Sequence, residues 1–254
     1  MTTETVRSKD GTPIAFSRAG SGRSLVFVDG ALCYREFGPS KQIAAQLAPF
    51  YTVFTYDRRG RGESGNTPPY AIEREVEDLD AIIQAAGGSA FVLAISSGAA
   101  LALEAARHGL AITKLAVYEA PFIVDTARTP IDDNYLPQLR QFLAEDRRGD
   151  AVKQFMRFVQ VPAIGIFVMQ LMPAWKKLKA VAPTLVHDIT MVERYQRGQA
   201  LPADRWSSLH QPTLVMDGGK SPAWMRNAQR ALARAVPGSK SRTLEGQTHM
   251  QSAA

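Results

Sequence analysis

Ser96 and His249 are the two side chains with which this sequence could carry out covalent chemistry. Ser96 lies in Phe91-Val92-Leu93-Ala94-Ile95-Ser96-Ser97-Gly98-Ala99-Ala100, where an apolar, partly β-branched run passes directly into an alanine-rich stretch. Such a run predicts a buried strand turning sharply into a helix, with a serine at the apex. The positions two before and two after that apex are crowded, and here they hold Ala94 and Gly98. This is the nucleophile-elbow pattern, with alanine at its first glycine position. Were Ser97 the apex, Ile95 would fall in the crowded position, so the spacing favours Ser96. A serine hydroxyl is a weak nucleophile at neutral pH and needs a base within hydrogen-bond reach. Four histidines are available. His108 falls at the far end of the elbow helix, His187 within a helical stretch, and His210 ahead of a strand, at the opposite edge from the elbow. His249 alone follows a final strand and shares an edge with Ser96.

The elements that must position this pair alternate along the first half of the chain. Residues 5–8 and 12–18 read as a hairpin around Lys9-Asp10-Gly11. Residues 24–28 form an apolar run suited to a strand buried on both faces, ending at Asp29-Gly30-Ala31. A helix follows at 39–48, then a strand at 51–56 that leads into Asp57-Arg58-Arg59-Gly60-Arg61-Gly62-Glu63-Ser64-Gly65. Residues 73–86 place Val76, Leu79, Ile82 and Ile83 on one helical face. The elbow strand and helix come next, and then a strand at 114–118 closed by Glu119. This alternation predicts an α/β fold with a mostly parallel sheet. From 121 to 209 the rhythm changes to helices, at 135–145, 150–159, 164–172 and 184–197, punctuated by prolines. We read 121–209 as a helical insertion, and 1–120 with 210–254 as the core that resumes with a strand at 212–217, a helix at 223–235 and a strand at 241–244.

Composition narrows the function classes. A chain of 254 residues suits one large domain, and 45% hydrophobic with 21% charged residues is ordinary for a globular protein. No apolar run is long enough to span a bilayer, the first residues lack the pattern of a signal peptide, and the single cysteine, Cys33, cannot form an internal disulfide. A cytoplasmic protein is the expectation. The net charge is +6, but the basic groups Arg58-Arg59-Arg61 and Lys176-Lys177-Lys179 fall on no nucleic-acid module and read as solvated faces. Gly60-Arg61-Gly62 is not followed by phosphate-loop residues, and no histidine pair has ligand spacing. Neither metal, cofactor, nucleic acid nor membrane is expected; the partner is a small molecule.

Taken together, the strand ending Asp29-Gly30-Ala31, the Tyr56–Ser64 loop, the elbow, the Pro212–Gly219 strand and the terminal Gly246–His249 loop resemble the α/β-hydrolase superfamily, in the order that superfamily has them. The resemblance implies a twisted eight-stranded sheet with helices on both faces, a helical cap after the sixth strand, and a Ser-acid-His triad in that chain order. It also implies an oxyanion hole made by the backbone N–H groups of Ala31 and Ser97. Three departures stand out. The oxyanion loop reads Asp29-Gly30 where the family has His-Gly. The usual acid position, a few residues past Gly218, holds Ser221. Glu119, at the end of the sixth strand as in the haloalkane dehalogenases, is the favoured acid, with Asp217, at the end of the seventh, as the alternative; Asp125, Asp132 and Asp133 are more remote, and a partial triad without an acid is the remaining reading. Finally, the family packs a helix after its histidine, whereas five residues follow His249. Either the chain is cut short of that helix or a partner chain covers the face it leaves, since an uncovered apolar face favours association between copies; the same shortage predicts a weakly anchored histidine.

The chemistry this implies is ester hydrolysis through an acyl-enzyme on Ser96, with small or medium apolar substrates contacting Leu32, Tyr34, Ile95, Phe155 and Trp175. The apolar and aromatic insertion residues Phe155, Met156, Phe158, Phe167, Met169 and Trp175 are expected either to line a pocket or to form the insertion's own core. A non-hydrolytic enzyme reusing the same pair (oxygenase, perhydrolase, lyase or cyclase) and a catalytically silent ligand-binding protein are the alternatives.

Overall fold

A computed structural model describes residues 2–249. Eight strands form one sheet in the order β1-β2-β4-β3-β5-β6-β7-β8. β1 (Glu4–Arg7) and β2 (Pro13–Ala19) are the antiparallel edge. β3 (Arg23–Val28), β4 (Tyr51–Tyr56), β5 (Ala90–Ile95), β6 (Ile112–Tyr118), β7 (Thr213–Gly218) and β8 (Lys240–Leu244) run parallel. Leu25, Val26, Phe27 and Val28 are all buried, so both faces of β3 are covered, as a parallel strand requires. The sheet and its helices agree with the α/β architecture expected from the sequence.

α1 (Ser40–Leu47), α2 (Ile72–Ala85), α3 (Ser97–Arg107) and α9 (Ala223–Ala235) belong to this frame. α2 buries Val76, Leu79, Ile82 and Ile83 and places Glu73 and Glu75 in its first turn, where the helix dipole favours acids. α3 is buried along almost its whole length, from Ser97 to Ala106. Its alanines let neighbouring elements approach closely all round. A Cβ at Gly98 would come within 2.5 Å of the Asp29 carbonyl oxygen, so only glycine lets the elbow helix sit against the end of β3.

Between β6 and β7 the chain forms α4 (Tyr135–Ala144), α5 (Arg148–Phe158), α6 (Ala163–Gln170), α7 (Ala174–Val181) and α8 (Leu185–Val192), and no strand. α7 is an element the sequence reading passes over. Its buried face is only Leu178 and Val181, and the lysines around them mask the period. These helices share a second apolar cluster that includes Leu139, Val152, Leu178, Leu185 and Ile189, with Leu32 from the loop after β3. Phe155, Met156, Phe158, Met169 and Trp175 pack on that cluster, whereas Phe167 is 59% exposed. No helix among the described residues is long and apolar enough to cross a membrane.

Candidate active site

Strand register decides which residues meet. Val28 lies opposite Ala94, and Ile95 lies opposite Tyr118. The first residues beyond these strands, Asp29, Ser96 and Glu119, therefore emerge side by side at the carboxyl edge of the sheet, where open α/β folds bind ligands. Ser96 has φ 54° and ψ −129°, and Glu119 has φ 50°. Left-handed backbone costs a non-glycine residue about 1–3 kcal/mol and persists only where its surroundings enforce it. At Ser96 the enforcement is visible. Its N–H donates to the Tyr118 carbonyl (2.9 Å) while its own carbonyl accepts from Ala99 N–H (2.9 Å), so strand and helix grip the residue from either side.

Glu119 is fully buried and uses both carboxylate oxygens. Oε1 accepts from Gly218 N–H at 2.8 Å, and Oε2 lies 2.8 Å from His249 Nδ1. Burial works to raise the Glu119 pKa, but the contacts with His249 and Gly218, with the nearby Ser221 hydroxyl, outweigh it, so the carboxyl titrates below its ordinary range. Gln229 of α9 brackets the next residue, accepting from Ala120 N–H at 3.2 Å and donating to the Ala120 carbonyl at 2.8 Å. Asp217 is buried on β7 and, unlike Glu119, has no hydrogen bond to His249.

The loop carrying His249 is held more firmly than the sequence suggests. Tyr118 donates its hydroxyl to the Thr248 carbonyl (2.7 Å), Lys220 N–H donates to the Gln247 carbonyl (2.9 Å), and Gly219 N–H donates to the Leu244 carbonyl (2.9 Å). The five residues after His249, on which the expectation of a missing helix rests, lie outside the described residues.

On the other side of Ser96 lies the loop after β3. A Cβ at Gly30 would sit 2.9 Å from Ser96 Cβ and 3.4 Å from Ser96 Oγ, so the absence of a side chain there is what leaves room beside Ser96. Leu32 adopts φ 61° and buries its side chain. Tyr34 pairs with Phe37 through reciprocal backbone hydrogen bonds, and Arg35 N–H donates to Asp57 Oδ1 at 2.7 Å. Ala31 opens this loop and Ser97 opens α3, so the backbone N–H groups proposed for the oxyanion hole belong to the two segments that flank Ser96. Asp29 is buried and accepts from the Ser40 hydroxyl, while its Oδ1 has no partner among the described residues. Burial, only partly offset by Ser40, Arg61 and Arg58, pushes its pKa up to about 6. Ile95 is half-buried beside Ser96; Phe155 and Trp175 sit in the helical cluster, and Trp175 also borders an outer cleft with Arg147, Lys153 and Lys179.

The sequence reading errs most on Arg58, Arg59 and Arg61. They are not a solvated face: each is at most 1% exposed. Arg59 is clamped by Asp78, with both contacts at 2.7 Å. Arg58 is clamped by Glu75, at 2.6 and 2.8 Å. Burial alone would raise the Glu75 pKa, yet the Arg58 guanidinium carries it down to about 2. Arg58 and Arg61 both reach Asp188 of α8, at 2.8 Å and at 2.8 and 2.7 Å. Next to Asp188, His187 stacks on Tyr70 with ring centroids 3.9 Å apart, and burial lowers its pKa to about 4. Asp188 and Gln229 are neighbours of the candidate site that sequence reasoning missed. The one available signal was three arginines in a glycine-rich loop directly after a buried strand, where a solvated patch is a poor explanation.

The sequence matches the model of the alpha/beta hydrolase family over residues 19–253. Among solved structures, an alpha/beta hydrolase from Sphaerobacter thermophilus is 51% identical, with 97% of this chain and 94% of that one covered at a TM-score of 0.89. A thermophilic esterase from Thermogutta terrifontis is 21% identical over 98% and 92% of the two chains (TM-score 0.72). An enol-lactonase from Burkholderia xenovorans is 19% identical over 95% and 91% (TM-score 0.66). A search of curated proteins found no match.

Proposed function

Since this chain belongs to the alpha/beta hydrolase family, we propose that it is a serine hydrolase of carboxylic esters, working through an acyl-enzyme on Ser96. The observation that carries this reading is the 2.8 Å contact between Glu119 Oε2 and His249 Nδ1 beside a strained Ser96. A buried carboxylate accepting from Nδ1–H fixes the imidazole tautomer whose Nε2 has a free lone pair. In the proposed reaction, Nε2 takes the Ser96 proton as Oγ attacks the ester carbonyl carbon. Ala31 and Ser97 N–H groups hold the resulting oxyanion. His249 then returns the proton to the departing alkoxide. Water, deprotonated by His249, releases the acid and restores Ser96. Glu119 stays ionised throughout, consistent with its lowered pKa. No cofactor enters these steps.

In this reading residues 121–209 act as a cap, and its apolar cluster beside Leu32 favours small or medium apolar acyl or alkyl groups. The names of the esterase and the enol-lactonase that share the fold suggest linear esters and lactones as the first substrates to try. The test is labelling by a fluorophosphonate probe together with hydrolysis of p-nitrophenyl acetate and butyrate, repeated with Ser96→Ala. Labelling and turnover that both vanish in the variant support the proposal. Wild-type protein that neither labels nor turns over would defeat it, and activity surviving in Ser96→Ala would defeat the choice of nucleophile.

A further inference from the structure

Three charged side chains under the proposed oxyanion hole have no role in the steps above: Arg58, Arg61 and Asp188. All are at most 1% exposed. Asp188 belongs to α8, in the segment between β6 and β7, yet its Oδ1 accepts from the Ser97 hydroxyl at 2.7 Å, and the two Asp188 oxygens take Arg61 Nη2 at 2.8 and 2.7 Å. Arg61 spends its other donors on the loop after β3. Nη1 donates to the Gly30 carbonyl at 2.5 Å and to the Cys33 carbonyl at 3.1 Å, and Nε donates to Thr184 Oγ1 at 3.1 Å. Arg58 Nη1 joins the same oxygen of Asp188 and lies 3.3 Å from Ser97 Oγ.

The peptide group turns these contacts into a statement about catalysis. In a planar trans peptide the carbonyl of one residue and the N–H of the next point in opposite directions. Fixing the Gly30 carbonyl on Arg61 therefore fixes the Ala31 N–H, aimed the other way. Ser97 is held by its hydroxyl, and its own N–H is the second proposed donor. Resting on the proposed hydrolase reading, we infer that Asp188 is a positioning residue for the oxyanion hole. It sets one donor directly through Ser97 and the other through Arg61 and Gly30, and thereby makes the inserted helices part of the catalytic apparatus without touching substrate.

Donors preorganised toward developing charge strengthen in the transition state and contribute little to ground-state binding. Asp188→Asn removes the charge that orients Arg61, so it should lower kcat for p-nitrophenyl butyrate about 100-fold, the lower end for losing one such donor. KM should stay within threefold, and the fluorophosphonate labelling rate should fall in parallel. The control is Asp78→Asn. Asp78 is equally buried and equally bidentate on an arginine, but Arg59 makes no contact with Gly30 or Ser97. It should lose comparable thermal stability while kcat stays within threefold. Ser97→Ala strands no charge; it should keep the wild-type Tm and lose about tenfold in kcat, so the inference stays testable if Asp188→Asn does not fold. Equal kcat losses in Asp188→Asn and Asp78→Asn at matched Tm would overturn the positioning role, as would unchanged kcat in Ser97→Ala. Wild-type protein that neither labels nor hydrolyses would sink the hydrolase reading, and this inference with it.

Discussion

Replacing Glu119 by glutamine tests the proposed acid with the least disturbance, because glutamine keeps the shape and one acceptor. The structure decides how that side chain would lie. Gly218 N–H is buried and donates to Oε1 at 2.8 Å, so the glutamine carbonyl oxygen must face it, or a buried donor is left without a partner at a cost of about 1–3 kcal/mol. The amide NH2 then faces His249 Nδ1, in the place of Oε2. Two donors cannot meet there, so Nδ1 must become the acceptor and the imidazole proton moves to Nε2. That tautomer has no lone pair with which to take the Ser96 proton. Where an orienting carboxylate has been neutralised in this way, kcat falls about 10⁴-fold, equivalent to about 5 kcal/mol. Steady-state hydrolysis of p-nitrophenyl butyrate by Glu119→Gln, with thermal unfolding as a check on folding, reads this directly, and Asp217→Asn is the comparison. The reasoning fails if Glu119→Gln keeps kcat within tenfold of wild type. If Asp217→Asn shows the large loss instead, the acid is Asp217.

Two further outcomes follow from the loop after β3. Gly30→Ala puts a methyl 2.9 Å from Ser96 Cβ, so we expect ester turnover to drop at least 100-fold and stability to fall by about 1–3 kcal/mol; hydrolysis within threefold of wild type would mean that Gly30 does not crowd the nucleophile. Asp29 has a folded pKa of about 6, above its ordinary 3.8. The stability it contributes is complete below the lower value and is lost as pH rises through the upper one. Asp29→Asn should therefore gain on wild type by about 2 kcal/mol between pH 4 and pH 7, read as the difference between paired urea titrations; a gap that does not widen with pH would refute the burial argument.

Much of the frame is legible from sequence because single-residue patterns specify it. The apolar run at Leu25–Val28, the one-sided helix of Val76, Leu79, Ile82 and Ile83, and the small residues around Ser96 each constrain local structure without reference to anything distant. Glu119 and Asp217 could not be separated that way, since both end a strand. What distinguishes them is a register and a contact with His249, 130 residues further on. The arginines failed for the opposite reason. Three basic residues so close together suggest solvent, and it is their pairing with Glu75, Asp78 and Asp188, carried on α2 and α8, and with Asp10 that makes their burial tolerable. The firm hold on His249 escaped because it comes from a tyrosine hydroxyl on β6 and backbone groups after β7, neither of which marks itself in the sequence.

The link from α8 to the loop after β4 has a bearing on how such proteins can be recombined. A run of helices between two strands looks like a module to be exchanged between relatives to change what the site accepts. Here, among the described residues, the segment supplies the one carboxylate that accepts hydrogen bonds from both Arg58 and Arg61. A chimera taking a foreign segment without an acid at that point would leave two buried guanidinium groups without the carboxylate that both hydrogen-bond. The arginines, Glu75, Ser97 and Asp188 therefore travel as a set, and the useful unit of exchange is the segment together with residues 58–61, not the helices by themselves.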